Sequence, residues 1–156
     1  MDDSPGRIIE LVFPNRGLTT PARLLEQEAP STCDLIWKRL PIEVATIHGW
    51  YSGDELYAVF PWEDVGPPRE NTTVCTNAGD LFFYYSPWYH SSAERSGEIA
   101  IYYGHDAIPM GSKDMMPGTL FARIASNNES FADACESIWT DGSEPLVIRR
   151  EGTYQS

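Results

Sequence analysis

Short extended segments recur along this chain with helical sequence between them at only two places, and that rhythm constrains the fold more than any other feature. The candidate strands are Arg7 to Phe13, Ala22 to Glu26, Glu43 to Tyr51, Glu55 to Phe60, Thr72 to Thr76, Leu81 to Tyr85, Glu98 to Tyr103, Thr119 to Ala125 and Pro145 to Arg150. Most are rich in Ile, Val, Phe and Tyr and are bounded by Gly, Pro, Asn or Asp. In the first interruption Cys33, Ile36, Trp37 and Leu40 fall on one helical stripe, with Pro30 placed for a first turn and Pro41 for a stop. In the second, Phe131, Cys135, Ile138 and Trp139 repeat the spacing. Ser130 and Asp133 there resemble a capping box, and Gly142 lies just past the end.

A parallel α/β sheet needs a helix after nearly every strand, and this order lacks them. A run of this many strands would leave long open edges unless the sheet closed on itself. The expected fold is therefore mainly β, a closed antiparallel barrel with two capping α-helices, as a single domain over residues 1–156 with its core at about 7–150. The loops Pro61 to Arg69 and His105 to Pro117 are the irregular stretches, and ordered loops on a rigid barrel commonly carry function.

Charge and cysteine usage exclude several classes. With 11 Lys+Arg against 23 Asp+Glu the net charge is -12, so nucleic acid and anionic membrane are unfavourable partners. The longest apolar run, Leu81 to Tyr85, is strand-sized rather than membrane-spanning. An acidic start at Met1 to Pro5 does not read as a secretory signal, which predicts a cytoplasmic protein and makes the sequons at Asn71 and Asn128 chance matches. Cys33, Cys75 and Cys135 are widely spaced without a CxxC, the pattern of ordinary reduced thiols rather than a disulfide framework or structural zinc.

Candidate site residues follow from residue type and place. His48 lies in a strand-like run with Trp50 near it, and Gly49 between them permits close approach of a ligand or another backbone. It reads either as a hydrogen-bonded structural residue or as a ligand contact. Glu70 opens a strand after a stretch that cannot be helical. If half-buried, it is a candidate base near neutral pH; if exposed, it pairs with an arginine. Asn71 can orient a carbonyl or cap a turn. Asp80 reads first as a turn residue. Tyr103 and His105 end a strong strand, where either can donate a proton or serve as ordinary packing and loop. A metal site would need His48, His105 and Glu70 to converge from three strands, and no metal or other cofactor is expected. Cys75 has no neighbouring base to make it a nucleophile. His90 sits in an aromatic loop suited to a lid or subunit contact. Aromatic residues such as Trp50, Tyr51, Trp88, Tyr89 and Tyr102 outnumber what a small barrel interior takes, so a pocket and a homo-oligomer, most simply a dimer, are expected. A solution mass of one chain would contradict the dimer.

Two resemblances sharpen this reading. The stretch Ala22-Arg23-Leu24-Leu25-Glu26-Gln27-Glu28-Ala29-Pro30-Ser31-Thr32 resembles the strand-to-helix junction of cyclophilins, whose eight-stranded barrel with two helices matches the element order. More closely, Ile47-His48-Gly49-Trp50-x-Ser52-Gly53, Glu70-Asn71-x-Thr73, Gly79-Asp80-Leu81, Tyr103-Gly104 and Gly118-x-x-Phe121-Ala122 resemble, from about Arg7 to Arg150, a bacterial family of uncharacterised cyclophilin-like proteins, domain of unknown function 3830. The resemblance implies the cyclophilin-like barrel and a pocket around His48, Trp50, Glu70 and Tyr103. It implies no established reaction. Where prolyl isomerases carry Phe-His-Arg, this chain has Ile47-His48-Gly49, so isomerase activity is not expected.

The leading expectation is a small-molecule-binding protein in which Glu70 or His48 acts as general base and Trp50, Asn71, Tyr103 and His105 hold the substrate. By fold analogy with barrels in oxoprolinase and allophanate-type amidohydrolases, the reaction expected is hydrolysis of a small cyclic amide or ureide. The alternatives are a non-catalytic metabolite-binding module and a subunit-interaction module.

Overall fold

A computed structural model describes residues 6–89, 94–125 and 129–153. His90 and Asn128 therefore lie outside the described residues.

Among the described residues, ten strands and two α-helices follow in the order β1 (Ile8–Phe13), β2 (Leu18–Leu24), α1 (Pro30–Arg39), β3 (Ile42–Ala45), β4 (Ile47–His48), β5 (Gly53–Pro61), β6 (Thr72–Thr73), β7 (Asp80–Tyr85), β8 (Ser96–Ala107), β9 (Gly118–Ile124), α2 (Glu129–Asp141) and β10 (Pro145–Arg150). All belong to one antiparallel sheet with path β3-β10-β1-β2-β9-β7-β8-β5-β4, and β6 pairs with β9 beside that path. The two ends of the path, β3 and β4, are consecutive in the chain. The single run Ile42 to His48 bonds β10 with its first half and β5 with its second, which brings the sheet round into a barrel. Treating that run as one strand and setting the two-residue β6 aside leaves eight, the number expected of the closed barrel.

Strand alternation puts Ile9, Leu11 and Phe13 of β1 inside, while Glu10 points out and bonds Arg149 across the sheet. Both helices bury their apolar stripes in the same core, α1 through Cys33 and Ile36 and α2 through Phe131, Cys135 and Ile138. Gly142, at a φ of 94°, ends α2 with its N–H on the Ile138 carbonyl, as its position suggests. Ser130 is not the cap, because the helix already includes Glu129. Several boundaries also move: β2 is Leu18–Leu24 rather than Ala22 to Glu26, and β6 keeps only Thr72–Thr73 of the run to Thr76. The strand beginning at Ile42 stops at His48 and leaves Trp50 and Tyr51 exposed, and β8 runs on to Ala107.

All six residues of β7 are buried. Leu81, Phe83 and Tyr85 face the barrel core with Ile99 and Ile101. Phe82 and Tyr84 face outward with Ala100 and Tyr102, and there Met116, Tyr89 and Leu25 cover them. This two-sided burial explains why Leu81 to Tyr85 reads as a continuous apolar run. It also accommodates much of the apparent excess of aromatics, since Trp62, Tyr84, Tyr85 and Tyr102 are buried.

Candidate functional site

The outer face of β5, β8 and β7 holds a cavity of about 260 Å³. Register decides which side chains reach it. Across β5 and β8, Glu55 stands opposite Tyr102, Tyr57 opposite Ala100 and Val59 opposite Glu98, and across β8 and β7 Tyr84 stands opposite Glu98. Cross-strand partners share a face, so two carboxyls and three tyrosines come to one side of the sheet. Glu55 and Glu98 lie at opposite ends of this row, roughly 13 Å apart along the strand direction. The segment after β8 supplies the facing wall with Met110, Gly111, Ser112 and Met116. Tyr84 donates to the Met116 carbonyl at 3.1 Å and Tyr89 donates to the carbonyl of Pro117, which fastens that segment over the sheet.

Glu55 is 7% exposed and accepts hydrogen bonds from the Ser52 and Tyr102 hydroxyls. Tyr102 in turn meets Tyr84, oxygen to oxygen, at 3.0 Å. Burial raises the Glu55 carboxyl above its usual range, and the two hydroxyl donors pull it back in part. Glu98 is only partly covered and makes no hydrogen bond among the described residues. Its desolvation, with the charge of Glu55 adding to it, pushes its carboxyl up to about 8. Tyr57, Tyr84 and Tyr102 are all shifted upward, mainly by burial, and so remain neutral hydroxyls.

The turn from His48 into β5 shapes the Glu55 end. A Cβ on Gly49 would lie 2.3 Å from the Ser52 Oγ and 2.8 Å from Glu55 Oε2, so only glycine allows the hydroxyl and carboxylate to meet there. The close approach anticipated at Gly49 is thus made by this chain's own side chains.

Two of the residues singled out from sequence, His48 and Trp50, line a second, shallower hollow of about 330 Å³ between β4 and α2, and a third, Tyr103, reaches His48. His48 Nε2 lies 2.6 Å from the Tyr103 hydroxyl and Nδ1 3.0 Å from the Gly49 carbonyl oxygen. The imidazole also packs edge-on against Trp139, which packs against Trp50. Trp50 lines both cavities and is the link between them.

The remaining candidates lie elsewhere. Glu70 Oε1 accepts the backbone N–H of Thr32 at 2.5 Å, in the first turn of α1, and so satisfies a helix-end donor. Asn71 has a positive φ of 43° and donates its Nδ2 to the Leu120 carbonyl at 2.8 Å. His105 is exposed near the end of β8. Asp80 is buried, accepts Asn77 N–H and pairs with Arg123 at 2.8 Å. Among the described residues no group of three or more His, Cys, Asp or Glu could hold a metal ion. Cys33 and Cys135 are buried, and burial pushes the Cys33 thiol up to about 12, far from a reactive thiolate.

Sequence reading missed Glu55 and Glu98 because each stood at the start of a candidate strand and passed for a solvated end, whereas Tyr102 was among the surplus aromatics expected at a pocket or interface. The available signal was parity. Glu55 shares its strand face with Tyr57, and Glu98 shares its own with Ala100 and Tyr102.

A family model described as "Protein of unknown function (DUF3830)" matches residues 11–149. The chain belongs to this family. Among solved structures, this DUF3830 protein is similar to McbB, solved in complex with tryptophan, at 18% identity and a TM-score of 0.68, with 95% of this chain and 46% of McbB covered. It spans less than half of McbB's length. It is also similar to the hypothetical protein AF2241 from Archaeoglobus fulgidus, solved in solution, at 20% identity and a TM-score of 0.59, with 96% and 99% covered. At these identities the likeness is one of fold. No curated protein matches. Among the described residues of the DUF3830 chain, no helix is long and apolar enough to cross a membrane.

Proposed function

We propose that this protein binds a small molecule in the outer-face cavity and moves a proton on it with Glu98, most concretely in the hydrolysis of a small cyclic amide or ureide. One observation carries the reading: two carboxyl groups, one of them deeply buried, line one cavity with tyrosine hydroxyls and, among the described residues, no cationic side chain. Burying carboxyls without a counter-charge is costly for folding, and such costs concentrate at functional sites.

The two acids are suited to different tasks. Glu55 is held in place by Ser52 and Tyr102, whose hydroxyl donors favour its ionised form against the burial that raises its carboxyl. Glu98 is unanchored and titrates near 8, so both its protonation states are accessible around neutral pH. In the hydrolysis, the Glu98 carboxylate takes a proton from water as the oxygen adds to the carbonyl carbon. It then passes that proton to the ring nitrogen as the C–N bond breaks, giving an amine and a carboxylic acid and restoring Glu98. The base role foreseen for Glu70 or His48 passes to Glu98 on this reading, because Glu70 caps α1 and His48 is engaged with Tyr103.

A thermal-shift screen of cyclic amides, ureides and carboxylic acids tests this. A ligand at about 100 times its Kd adds ~2.7 kcal/mol, which moves Tm by roughly 5 to 10 °C. With a hit in hand, Glu98→Gln is expected to retain binding and lose about 10²-fold or more in ring opening. Turnover by the unaltered protein should rise with pH towards a plateau above about 8. Glu70→Ala serves as the contrast: it should lose about 1 kcal/mol of stability through the uncapped helix and keep turnover. Full turnover by Glu98→Gln would remove Glu98 from the chemistry. Binding without turnover in the unaltered protein would leave a metabolite-binding module.

A further inference from the structure

The carboxyls of the cavity stand apart from the other covered acids of this protein in what neutralises them. Asp80 meets Arg123, Glu10 meets Arg149, Glu144 meets Arg16 and Glu26 meets Arg7. Half-buried Asp54 and Glu70 accept backbone N–H groups, from Asp106 and Thr32. Glu55, more deeply buried than any of these except Asp80, has only neutral hydroxyl donors, and no ion pair among the described residues uses Glu55 or Glu98. Among the described residues no Lys, Arg or His lines the cavity. Its lining also includes Tyr57, Tyr84 and Tyr102, exposed Trp50, and the thioethers of Met110 and Met116.

We infer that the small molecule taken by this cavity carries a positively charged nitrogen, an amine or quaternary ammonium, whose charge is met by Glu55 and the faces of the neighbouring aromatic rings. The inference rests on the reading of this cavity as the ligand site and names the class of ligand. Three features favour a cation over a neutral or anionic guest. A buried carboxyl group without a cationic partner gains a counter-charge on binding, which stabilises its ionised form and relieves its desolvation cost. Electron-rich ring faces attract a cation and offer nothing comparable to an anion. An anionic guest would have to enter between two carboxyls on a chain of net charge -12. The separation of the two acids along the strand row gives the guest a direction. Its cationic end lies at Glu55, and the bond to be broken lies at the Glu98 end. On the hydrolytic reading the substrate is then a cyclic amide or ureide bearing a basic amine outside the ring.

The experiment compares probes of one shape and three charges on the full chain at pH 7.5: benzylamine and benzyltrimethylammonium, neutral benzyl alcohol, and benzoate. Isothermal titration is expected to show both cations binding at least tenfold more tightly than the alcohol, with benzoate weakest. Glu55→Gln should bring the amine and the alcohol within about twofold of each other. If that variant does not fold, Tyr57→Leu, at a half-buried position, should cut the ratio of amine to alcohol affinity several-fold. Equal binding of amine and alcohol, or tighter binding of benzoate, would overturn the cationic class and leave the cavity as the ligand site. Failure of every probe together with every cyclic amide would overturn both. A cation preference that survives Glu55→Gln in a folded protein would overturn the assignment to Glu55.

Discussion

Gly53→Ala is expected to destabilise the fold by about 3 kcal/mol or more, a fall in Tm of roughly 10 °C. Gly53 has a φ of 82°, in the left-handed region where a side chain is strained. An added Cβ would also stand 2.0 Å from the carbonyl oxygen of Asp106, and backbone at the start of paired strands cannot step aside cheaply. The position matters for the site as well. Gly53 pairs with Ala107, and the register between β5 and β8 shifts between Gly53 and Glu55. Next to it the Ser52 carbonyl accepts the Ile108 N–H at 2.9 Å, which ties the Glu55 end to the segment that walls the cavity. Urea unfolding measures the cost directly. A loss below about 1 kcal/mol would mean that the irregularity relaxes and does not hold Glu55 in place.

The second large effect is a dependence of stability on pH that Glu98 imposes. Its folded-state carboxyl titrates at about 8 against 4.5 for an unperturbed glutamate. Between those values the unfolded chain has released this proton and the folded protein still binds it. Stability from this group is therefore complete below about pH 4.5 and is lost progressively as pH rises to about 8. Glu55, also raised by burial, acts with the same sign. Glu98→Gln keeps the shape without the ionisation. It should match the unaltered protein at pH 5 and exceed it at pH 8.5 by about 2 kcal/mol, a figure reduced from the full linkage because Glu98 is partly exposed. Equal differences at both pH values would show that Glu98 is well solvated, and its place as proton carrier would fall with it. A variant that is more stable and also inactive is the expected signature of an acid retained for chemistry.

The two parts of the carboxyl row show why the fold was more legible than the site. Most strand segments were readable because composition and turn residues act locally: Pro145 to Arg150 is β10 as expected, and Leu81 to Tyr85 is β7 but for Asp80. The α1 stripe through Cys33 and Ile36 was readable for the same reason, because helical periodicity is a property of nearest turns. His48 and Tyr103 were found and do meet, yet they meet beside α2 rather than beside Glu70. Nothing local distinguishes a glutamate at a strand start that points to solvent from one that points beneath another segment of chain.

Residue order by itself determined that this chain forms an antiparallel barrel with two helices. The supply of extended segments, the scarcity of helices between them and the open edges they would otherwise leave admit few other arrangements. Tertiary structure alone decided which strand faces became the site. Glu55 and Glu98 are 43 positions apart in the chain by their numbering, and only the β5–β8 register sets them on one face. The Met110–Met116 segment, folded back over that face, walls the cavity in which Glu55 is buried and Glu98 half-buried. Burial is a property of what packs on top of a residue, and that covering comes from a part of the chain that carries no local mark of where it will lie.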